Sequence, residues 1–309
     1  STQSTGHQLQ TGHDTAFKVD VTAADTSIGA ADYYEFLQRI EGRNLQHLRW
    51  GTASAKKLQV SFWVRATKTG VNALFCSKQG TGQDYRNVIE YTINASDTWE
   101  HKTVEIPALT ASTIANDDST YVQIGWPLAM GSNFHNGTAG TWGTGAFYST
   151  ANSVNHMDST SNDFYITGLQ VEVGDTATDF EHRSYAEEQA ACQRYFYRVG
   201  ETGGVGHAVG SNFAIGAYYT ASDFRAFIDF PVTMRANPTL TSSSVTDAFR
   251  IIRSNGSDYP DSIADAGGSA LHGKHLFTND DLGSASNGDA GVLIAGSTSS
   301  AFLNFDAEL

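Results

Sequence analysis

Apolar and polar side chains alternate with a period of two along most of this chain, and that alternation restricts it to β structure. The clearest example is residues 58–65, LQVSFWVR. One face of this segment carries Leu58, Val60, Phe62 and Val64, and the other face carries Gln59, Ser61, Trp63 and Arg65. Because successive side chains of a strand point to opposite faces, we predict that the first set is buried and the second faces outward.

Similar segments recur through the first 180 or so residues. They cover residues 17–21, 33–41, 73–77, 88–93, 99–106, 121–128 and 164–173. Turn-forming stretches such as 78–83 (KQGTGQ) and 94–97 (NASD) separate them. About eight short strands at this spacing predict a β-sandwich.

One segment, residues 184–195, has a helical pattern instead. Ser184 followed three residues later by Glu187 is a capping-box pair. Tyr185, Ala191 and Cys192 can share an apolar stripe at helical spacing. The sequence therefore predicts a short helix, with a domain ending just before it.

Short alternating runs resume after the predicted helix. They cover residues 213–219, 224–230, 248–252, 271–277, 292–295 and 302–305. A chain of 309 residues is longer than one hydrophobic core usually organises. We predict an all-β protein with a sandwich domain over residues 1–183, a connecting helix over 184–196 and a second, smaller β domain over 197–309.

Charge and composition exclude several classes of partner. The formal net charge of −14, without a cluster of Lys and Arg, would repel a phosphate backbone and excludes nucleic-acid binding. No run of about 18 apolar residues exists, so membrane insertion is not expected. Cys76 and Cys192 lie in different predicted elements, and we interpret both as buried thiols and not as a disulfide.

Residues 132–161 form a long stretch rich in Gly, Ser, Thr and Asn that contains Trp142. A segment of this length without strong periodicity is usually a surface loop, and long loops often carry function. Two interpretations stay open: a binding loop, or a loop packed on the domain without a ligand.

Several segments resemble a pattern of phage proteins. They are residues 41–48 (EGRNLQHL), 57–66 (KLQVSFWVRA), 97–100 (DTWE) and 167–185 (TGLQVEVGDTATDFEHRSY). Together they are similar to the carbohydrate-binding-module-like jelly roll of phage and prophage tail-fibre and other virion structural proteins, over residues 11–196. Residues 231–241 and 303–309 resemble the carboxy-terminal portion of the same proteins.

The resemblance implies a jelly-roll β-sandwich in a bacteriophage virion surface protein, assembled in the bacterial host cytoplasm. Such a fibre or tip component would attach to host-surface glycans, contact other virion proteins and form a homo-oligomer, with a trimer as the first expectation. An alternative is a capsid head-fibre, decoration or assembly protein with no glycan binding.

A third interpretation is a glycan depolymerase, although we predict no enzyme and no catalytic residue. Hydrolysis of a glycosidic bond requires two carboxylates across a cleft. Glu90, Glu105 and Glu172 alternate onto strand faces and are the candidates. Solvent-facing strand carboxylates are the competing interpretation, and the chain lacks the common hydrolase motifs.

Glycan binding needs aromatic faces for the C–H surfaces of sugars and polar side chains for their hydroxyls. Trp142 is the first candidate because it lies in the long loop. Trp63 and Arg65 follow because they share the polar face of residues 58–65, and Trp99 and Trp126 complete the set. For each tryptophan, packing against neighbouring strands or another subunit is the competing interpretation.

No cofactor or metal ligand set is predicted. Carbohydrate-binding jelly rolls often hold a structural calcium with a carboxylate on the last strand, but here Thr167 and Gly168 occupy that place. His272 and His275 are offset by three, which puts their rings on opposite faces of a strand and argues against a transition-metal pair.

Overall fold

The computed structural model describes residues 11–80, 82–135, 138–200, 212–268, 271–283, 285–296 and 301–308. The chain divides into two compact units, of which the first ends at His182 and the second begins at Arg183. Strands account for nearly all of the regular structure in both units, which confirms the predicted all-β class. None of the described helices is long and apolar enough to cross a membrane.

The first unit contains eight strands. They are β1 (Phe17–Asp20), β2 (Tyr33–Glu41), β3 (Leu58–Ala66), β4 (Gly70–Lys78), β5 (Tyr85–Ile93), β6 (Glu100–Ile106), β7 (Thr120–Met130) and β8 (Asp163–Val173). Two 3₁₀ segments, Gly42–Leu48 and Ser132–Phe134, follow β2 and β7. Each of the eight segments with period-two alternation thus forms a strand.

These strands build two four-stranded antiparallel sheets. The first sheet has the order β1-β8-β3-β6, and the second has the order β2-β7-β4-β5. Their inner faces share one hydrophobic core, so the unit is the predicted jelly-roll β-sandwich. Leu58, Val60, Phe62 and Val64 of β3 are at most 3% exposed, which confirms the alternation predicted for this strand.

Trp126 lies at the centre of that core. Its ring stacks on Phe36 with 5.4 Å between centroids and an interplanar angle of 7°. Phe62 from the opposite sheet meets the same indole edge to face at 5.5 Å. One aromatic side chain therefore joins β7, β2 and β3.

The polar face of β3 departs from the prediction, because Gln59 and Ser61 are also buried. Glu172 and Gln170 of β8 are their neighbours in the sheet. These two side chains hold the residues that follow β8 against the outer face of the sheet. The backbone N–H of Thr178 donates to Glu172 at 2.7 Å, and Gln170 bonds residues 178, 179 and 181 in the same segment. We call Gln170, Glu172 and residues 178–181 the clasp.

The second unit consists of one helix and ten strands. The helix is α1 (Tyr185–Gln193), and the strands are β9 (Phe196–Gly200), β10 (Asn212–Thr220), β11 (Asp223–Asp229), β12 (Thr239–Ser242), β13 (Phe249–Arg253), β14 (Gly256–Asp258), β15 (Ala264–Asp265), β16 (Gly273–Thr278), β17 (Ala290–Ala295) and β18 (Phe302–Asp306). A seven-stranded sheet, β14-β13-β17-β10-β11-β16-β15, packs on a three-stranded sheet, β12-β18-β9. The three shortest strands of this unit, β12, β14 and β15, have four residues or fewer, which is too few to show a sequence period.

Helix α1 begins as predicted but buries nothing. The Ser184 hydroxyl accepts from the Glu187 backbone N–H, and the Glu187 carboxylate accepts from the Ser184 backbone N–H, which completes the capping box. The predicted apolar stripe is wrong: Tyr185 is 81% exposed and no helix residue is buried. Cys192 is therefore exposed, in contrast to the prediction, while Cys76 of β4 is buried.

His156 is enclosed at the end of the long loop that follows β7. Its Nε2 lies 2.6 Å from the side-chain oxygen of Asn72, and its ring packs edge to face on Phe164. Burial lowers the pKa of His156 to about 4; the charge of Lys68 lowers it further, and that of Asp158 opposes the shift. The imidazole is thus neutral in the folded protein at pH values where it is protonated in an unfolded chain.

We predict that His156 makes the protein less stable as the pH falls from 6.5 to about 4. In this window the unfolded chain binds a proton that the folded chain does not, so the free energy of unfolding falls by about 3 kcal/mol. Urea denaturation at pH 7 and pH 4.5 measures the loss. His156→Gln should show a smaller loss, and His47→Gln, at an exposed position, should match the wild type. Equal pH dependence in all three proteins would contradict the assignment.

Candidate functional site

Two of the predicted tryptophans are buried. Trp126 is 1% exposed at the centre of the core, and Trp99 is 6% exposed beside Tyr165 and Ala16. Burial leaves neither ring face free for a sugar, so the structure gives both a packing role. The sequence alone could not separate them from exposed rings, because each lies in a segment with an ordinary alternating pattern.

Trp63 and Arg65 lie on the outer face of the first sheet, and the structure brings them near Trp99. The Trp63 ring is half-buried and lies 5.2 Å from the His101 ring. Arg65 places its guanidinium 5.1 Å from the centre of the Tyr165 ring and 3.3 Å from a carboxylate oxygen of Asp97. These contacts form a partly exposed patch on the outer face of the first sheet.

Trp142, the first candidate, is packed against the sandwich. Its indole N–H donates to the carbonyl of Pro107 at 2.9 Å, and its ring meets Trp50 edge to face at 5.4 Å. The side chain is half-buried at the margin of the main core. Trp142 therefore lies apart from the Trp63 patch and fixes the position of its loop.

The loop that carries Trp142 is bonded to β5, the edge strand of the second sheet. Arg86 exchanges two backbone hydrogen bonds with Gly143, at 2.7 and 2.9 Å. The Thr150 hydroxyl donates to Glu90 at 2.5 Å. Of the two interpretations of residues 132–161, the structure favours the packed loop, but two of its aromatic residues also form the wall of a pocket.

This pocket has a volume of about 230 Å³ and is lined by Tyr33, Glu35, Met130, Phe134 and Tyr148. We call it the β2 pocket. The Tyr33 side chain is 60% exposed, and its ring meets Phe134 edge to face at 5.7 Å. The ring centroids of Phe134 and Tyr148 lie 6.1 Å apart. Three aromatic rings thus surround one carboxylate in a concave surface.

The alternation of β2 explains why Tyr33 and Glu35 point outward. Phe36 faces the core against Trp126, so its neighbour Glu35, which pairs with Pro127, faces the opposite side. A β-bulge between Tyr34 and Glu35 shifts the register at this point.

The walls from the loop are held by backbone bonds. The carbonyl of Phe134 accepts from the N–H groups of both Tyr148 and Ser149, at 2.8 and 3.2 Å. Arg86 places its guanidinium 5.2 Å from the Tyr148 ring and donates to the carbonyl of Gly145. On its other face Tyr148 packs on Phe75 at 5.0 Å. The Tyr148 ring is consequently fixed from two sides.

Gly125 of β7 lies beneath Phe75 and lets its ring approach the strand closely. A side chain at Gly125 would place its Cβ 2.3 Å from the Phe75 ring, so the ring lies directly on the backbone of β7. Phe75 is fully buried between that backbone and Tyr148. The absence of a side chain at residue 125 lets the aromatic wall lie close to the sheet.

Glu35 is the polar group of the β2 pocket. Burial raises the pKa of its carboxyl above the usual range, and the charge of Arg39 partly opposes this shift. Its Oε2 atom is enclosed and receives no hydrogen bond from any described residue. Aromatic rings around an acceptor of this kind can hold an apolar ring surface and bind one donor group.

A second concavity of about 430 Å³ opens at the edge of the sandwich, between β2 and β8. Its wall is mainly apolar, and its polar members are Thr15, Gln38 and Thr167. Trp126, one of the predicted tryptophans, belongs to this wall although its side chain is only 1% exposed. The concavity contains no charged side chain, so it offers less chemistry than the β2 pocket.

The described residues do not fit a calcium ion at the place the resemblance suggests. The Thr167 hydroxyl donates to the carbonyl of Thr15 at 2.6 Å, and a Cβ at Gly168 would collide with the His13 ring. Nowhere in the described ranges do three or more His, Cys, Asp or Glu side chains converge as metal ligands. The Thr167 hydroxyl is used in joining residue 15 to β8.

The three carboxylates considered for hydrolysis are used in other contacts. Glu90 accepts from Thr150 and Asn152, and Glu172 belongs to the clasp. Glu105 pairs with Lys57 at 3.0 Å. Hydrogen bonds from Thr178 lower the pKa of Glu172, which keeps it ionised as a structural acceptor.

Sequence reasoning missed Tyr33, Glu35 and Phe134 and did not select Tyr148 from the loop. A usable signal existed, since aromatic residues stand at the start and in the middle of the long loop and at the start of β2. What the sequence could not supply is the register that brings these three segments together.

Comparison with known proteins gives weak similarities only. No family model matches the chain, and no curated protein matches its sequence. A structure titled Family 16 Carbohydrate Binding Module-2 is 12% identical, covers 52% of this chain and 78% of its own, and has a TM-score of 0.25. A structure titled CBM4 structure and function is 8% identical, with 52% and 83% coverage and a TM-score of 0.25.

The CBM22-2 xylan-binding domain from Paenibacillus barcinonensis Xyn10C is 16% identical to this chain. The match covers 51% of this chain and 99% of that domain, with a TM-score of 0.26. Similarity at this level identifies neither a ligand nor a mechanism.

Proposed function

We propose that the first unit binds a carbohydrate in the β2 pocket. The observation that carries the proposal is the arrangement of Tyr33, Phe134 and Tyr148 around the unpaired carboxylate oxygen of Glu35. Sugars present C–H faces that pack on aromatic rings and hydroxyl groups that need acceptors and donors. The pocket supplies both, and the exposed ring of Tyr33 at its mouth provides the first surface for stacking.

The Trp63 patch is the competing location within the same proposal. It offers a half-buried indole, a guanidinium and the exposed His101 ring on the outer face of the first sheet. The β2 pocket is favoured because it is a cavity in which three aromatic rings and a carboxylate line the same space.

We predict that Tyr33→Ala weakens binding of a glycan selected on a glycan array by about tenfold, because it removes the stacking surface. Isothermal titration with that glycan measures the affinity. Tyr219→Ala is the matched control, since Tyr219 is a tyrosine of similar exposure, 65%, in the other unit. Loss of binding in Trp63→Ala with retention in Tyr33→Ala would place the site on the first sheet instead.

We also propose that the protein works at the surface of a tailed bacteriophage virion and attaches it to host-surface glycans. Support comes from the resemblance of residues 11–196 to virion proteins, and the net charge of −14 is compatible with a surface that does not contact nucleic acid. Attachment by a weak single-sugar site gains strength when several copies act together.

If the protein lies at the virion surface, an antibody raised against it should label intact phage particles. The label should lie at a distal tail position for a fibre and over the head for a capsid decoration protein. Electron microscopy of immunogold-labelled particles distinguishes these locations. Particles without label, prepared from cells that produce the protein, would contradict the virion proposal.

A homotrimer is the oligomer that we propose, and the second unit supplies a surface for it. The seven-stranded sheet exposes a row of mostly apolar side chains that lie side by side on neighbouring strands: Ile252, Val292, Ile215, Phe227 and His275. Ile215 is 74% exposed, Phe227 40% and Ile252 39%. A contiguous apolar row on a sheet face is a typical protein contact surface.

We predict that Ile215→Lys reduces the oligomer to monomers, because it places a charge in the centre of the row. Light scattering coupled to size exclusion measures the mass. Val245→Lys, at another exposed apolar residue of the same unit, should leave the mass unchanged. An unchanged trimer in Ile215→Lys would show that another surface forms the contact.

A further inference from the structure

Glu35 differs from the other acids of the sandwich in having no partner for its enclosed oxygen. Glu100 accepts from the backbone N–H groups of Asn94 and Ala95 and from Lys102, and Glu172 accepts from Thr178. These contacts lower the pKa of both carboxyls, to about 2 for Glu100. Burial raises the pKa of Glu35 instead. Glu100 and Glu172 thus have hydrogen-bond donors, whereas the enclosed oxygen of Glu35 has none among the described residues.

An unpaired carboxylate oxygen in an aromatic pocket is unfavourable until a donor reaches it. Transfer of a polar atom out of water is compensated only by a hydrogen bond, and transfer of a charge requires a counter-charge or a strong donor. Tyr33, Phe134 and Tyr148 present their rings to the same cavity. Glu35 is half-buried and lines this cavity, so a bound ligand can supply a donor to its carboxylate.

The charges around the pocket restrict the kind of ligand. Arg86 is directed to the Tyr148 ring, the carbonyl of Gly145 and, at 3.8 Å, the carboxylate of Asp84. Arg39 is the cation whose charge acts on Glu35, and it only partly offsets the effect of burial. The chain as a whole carries −14, which opposes the approach of an anion. An ammonium group forms a charge-assisted hydrogen bond with a carboxylate, whereas a second carboxylate repels it.

We infer that the β2 pocket selects sugars that carry a free amino group, binds neutral sugars more weakly and rejects acidic sugars such as uronic acids. This inference rests on the proposed function, since it names the class of carbohydrate for the same site. In the bound state the amino group donates to the Glu35 carboxylate, and the sugar ring packs among Tyr33, Phe134 and Tyr148. Glu35 is thus the residue that determines specificity.

The test uses the full chain and a glycan array in which each linkage is present in a neutral, an amino and a uronic acid form. For each linkage that binds the protein on the array, isothermal titration then measures the affinity of the neutral, amino and uronic acid forms in solution. We expect the amino form to bind about tenfold more tightly than the neutral form, and the acidic form to show no measurable binding.

Two variants distinguish the effect of the Glu35 carboxylate on binding from the effect of the overall charge. Glu35→Gln keeps the shape and removes the charge, so the amino preference should disappear while the neutral sugar binds within about threefold of wild type. Glu188→Gln removes one negative charge from an exposed position on α1 and should retain the wild-type preference.

Each outcome decides one claim. Equal binding of the amino and neutral forms, or binding of the acidic form, would overturn the selectivity while leaving carbohydrate binding intact. An amino preference that survives in Glu35→Gln would overturn the role of Glu35. Absence of binding to every form of every linkage would overturn the proposed function itself.

Discussion

The aromatic contact of Trp126 with Phe36 and Phe62 is the constraint on which the first unit depends. It fixes the position of β2 relative to both sheets, because Phe36 must reach the indole. Once Phe36 faces inward, the pleat of the strand directs Glu35 outward. A slip of one residue in β2 would bury the carboxylate in the core and remove it from the pocket. The binding surface is in this sense a consequence of core packing on the other side of the same strand.

Much of the fold follows from the sequence, and the reasons for the exceptions are physical. The eight alternating segments of the first unit became strands because one buried face was sufficient to specify each of them. The apolar stripe of α1 did not form a contact, since small side chains such as Ala191 gain little from burial. Gln59 is buried because the clasp covers it, and this depends on residues more than a hundred positions away.

The candidate site was less accessible to sequence reasoning. Tryptophan is a good guide to sugar binding only when its ring is exposed, and exposure depends on what packs above it. Trp142 lies in a loop, as expected, but a hydrogen bond to Pro107 directs it toward the core. The sequence did not mark Glu35 as a binding residue, because an acidic side chain on a strand is usually exposed to solvent. The segment with the most distinctive resemblance, 167–185, is used by the clasp, so that motif indicates an architecture and not a ligand.

The two hydrogen bonds to the carbonyl of Phe134 close the neck of the long loop. Between these two points, Arg86 bonds Gly143 and Gly145, and Trp142 packs on the sandwich. Residues of the loop outside these contacts can change and reshape the rim of the pocket without displacing its aromatic walls. The loop thus combines fixed aromatic walls with a border that tolerates substitution, an arrangement in which new recognition properties can evolve while the stability of the sandwich is maintained.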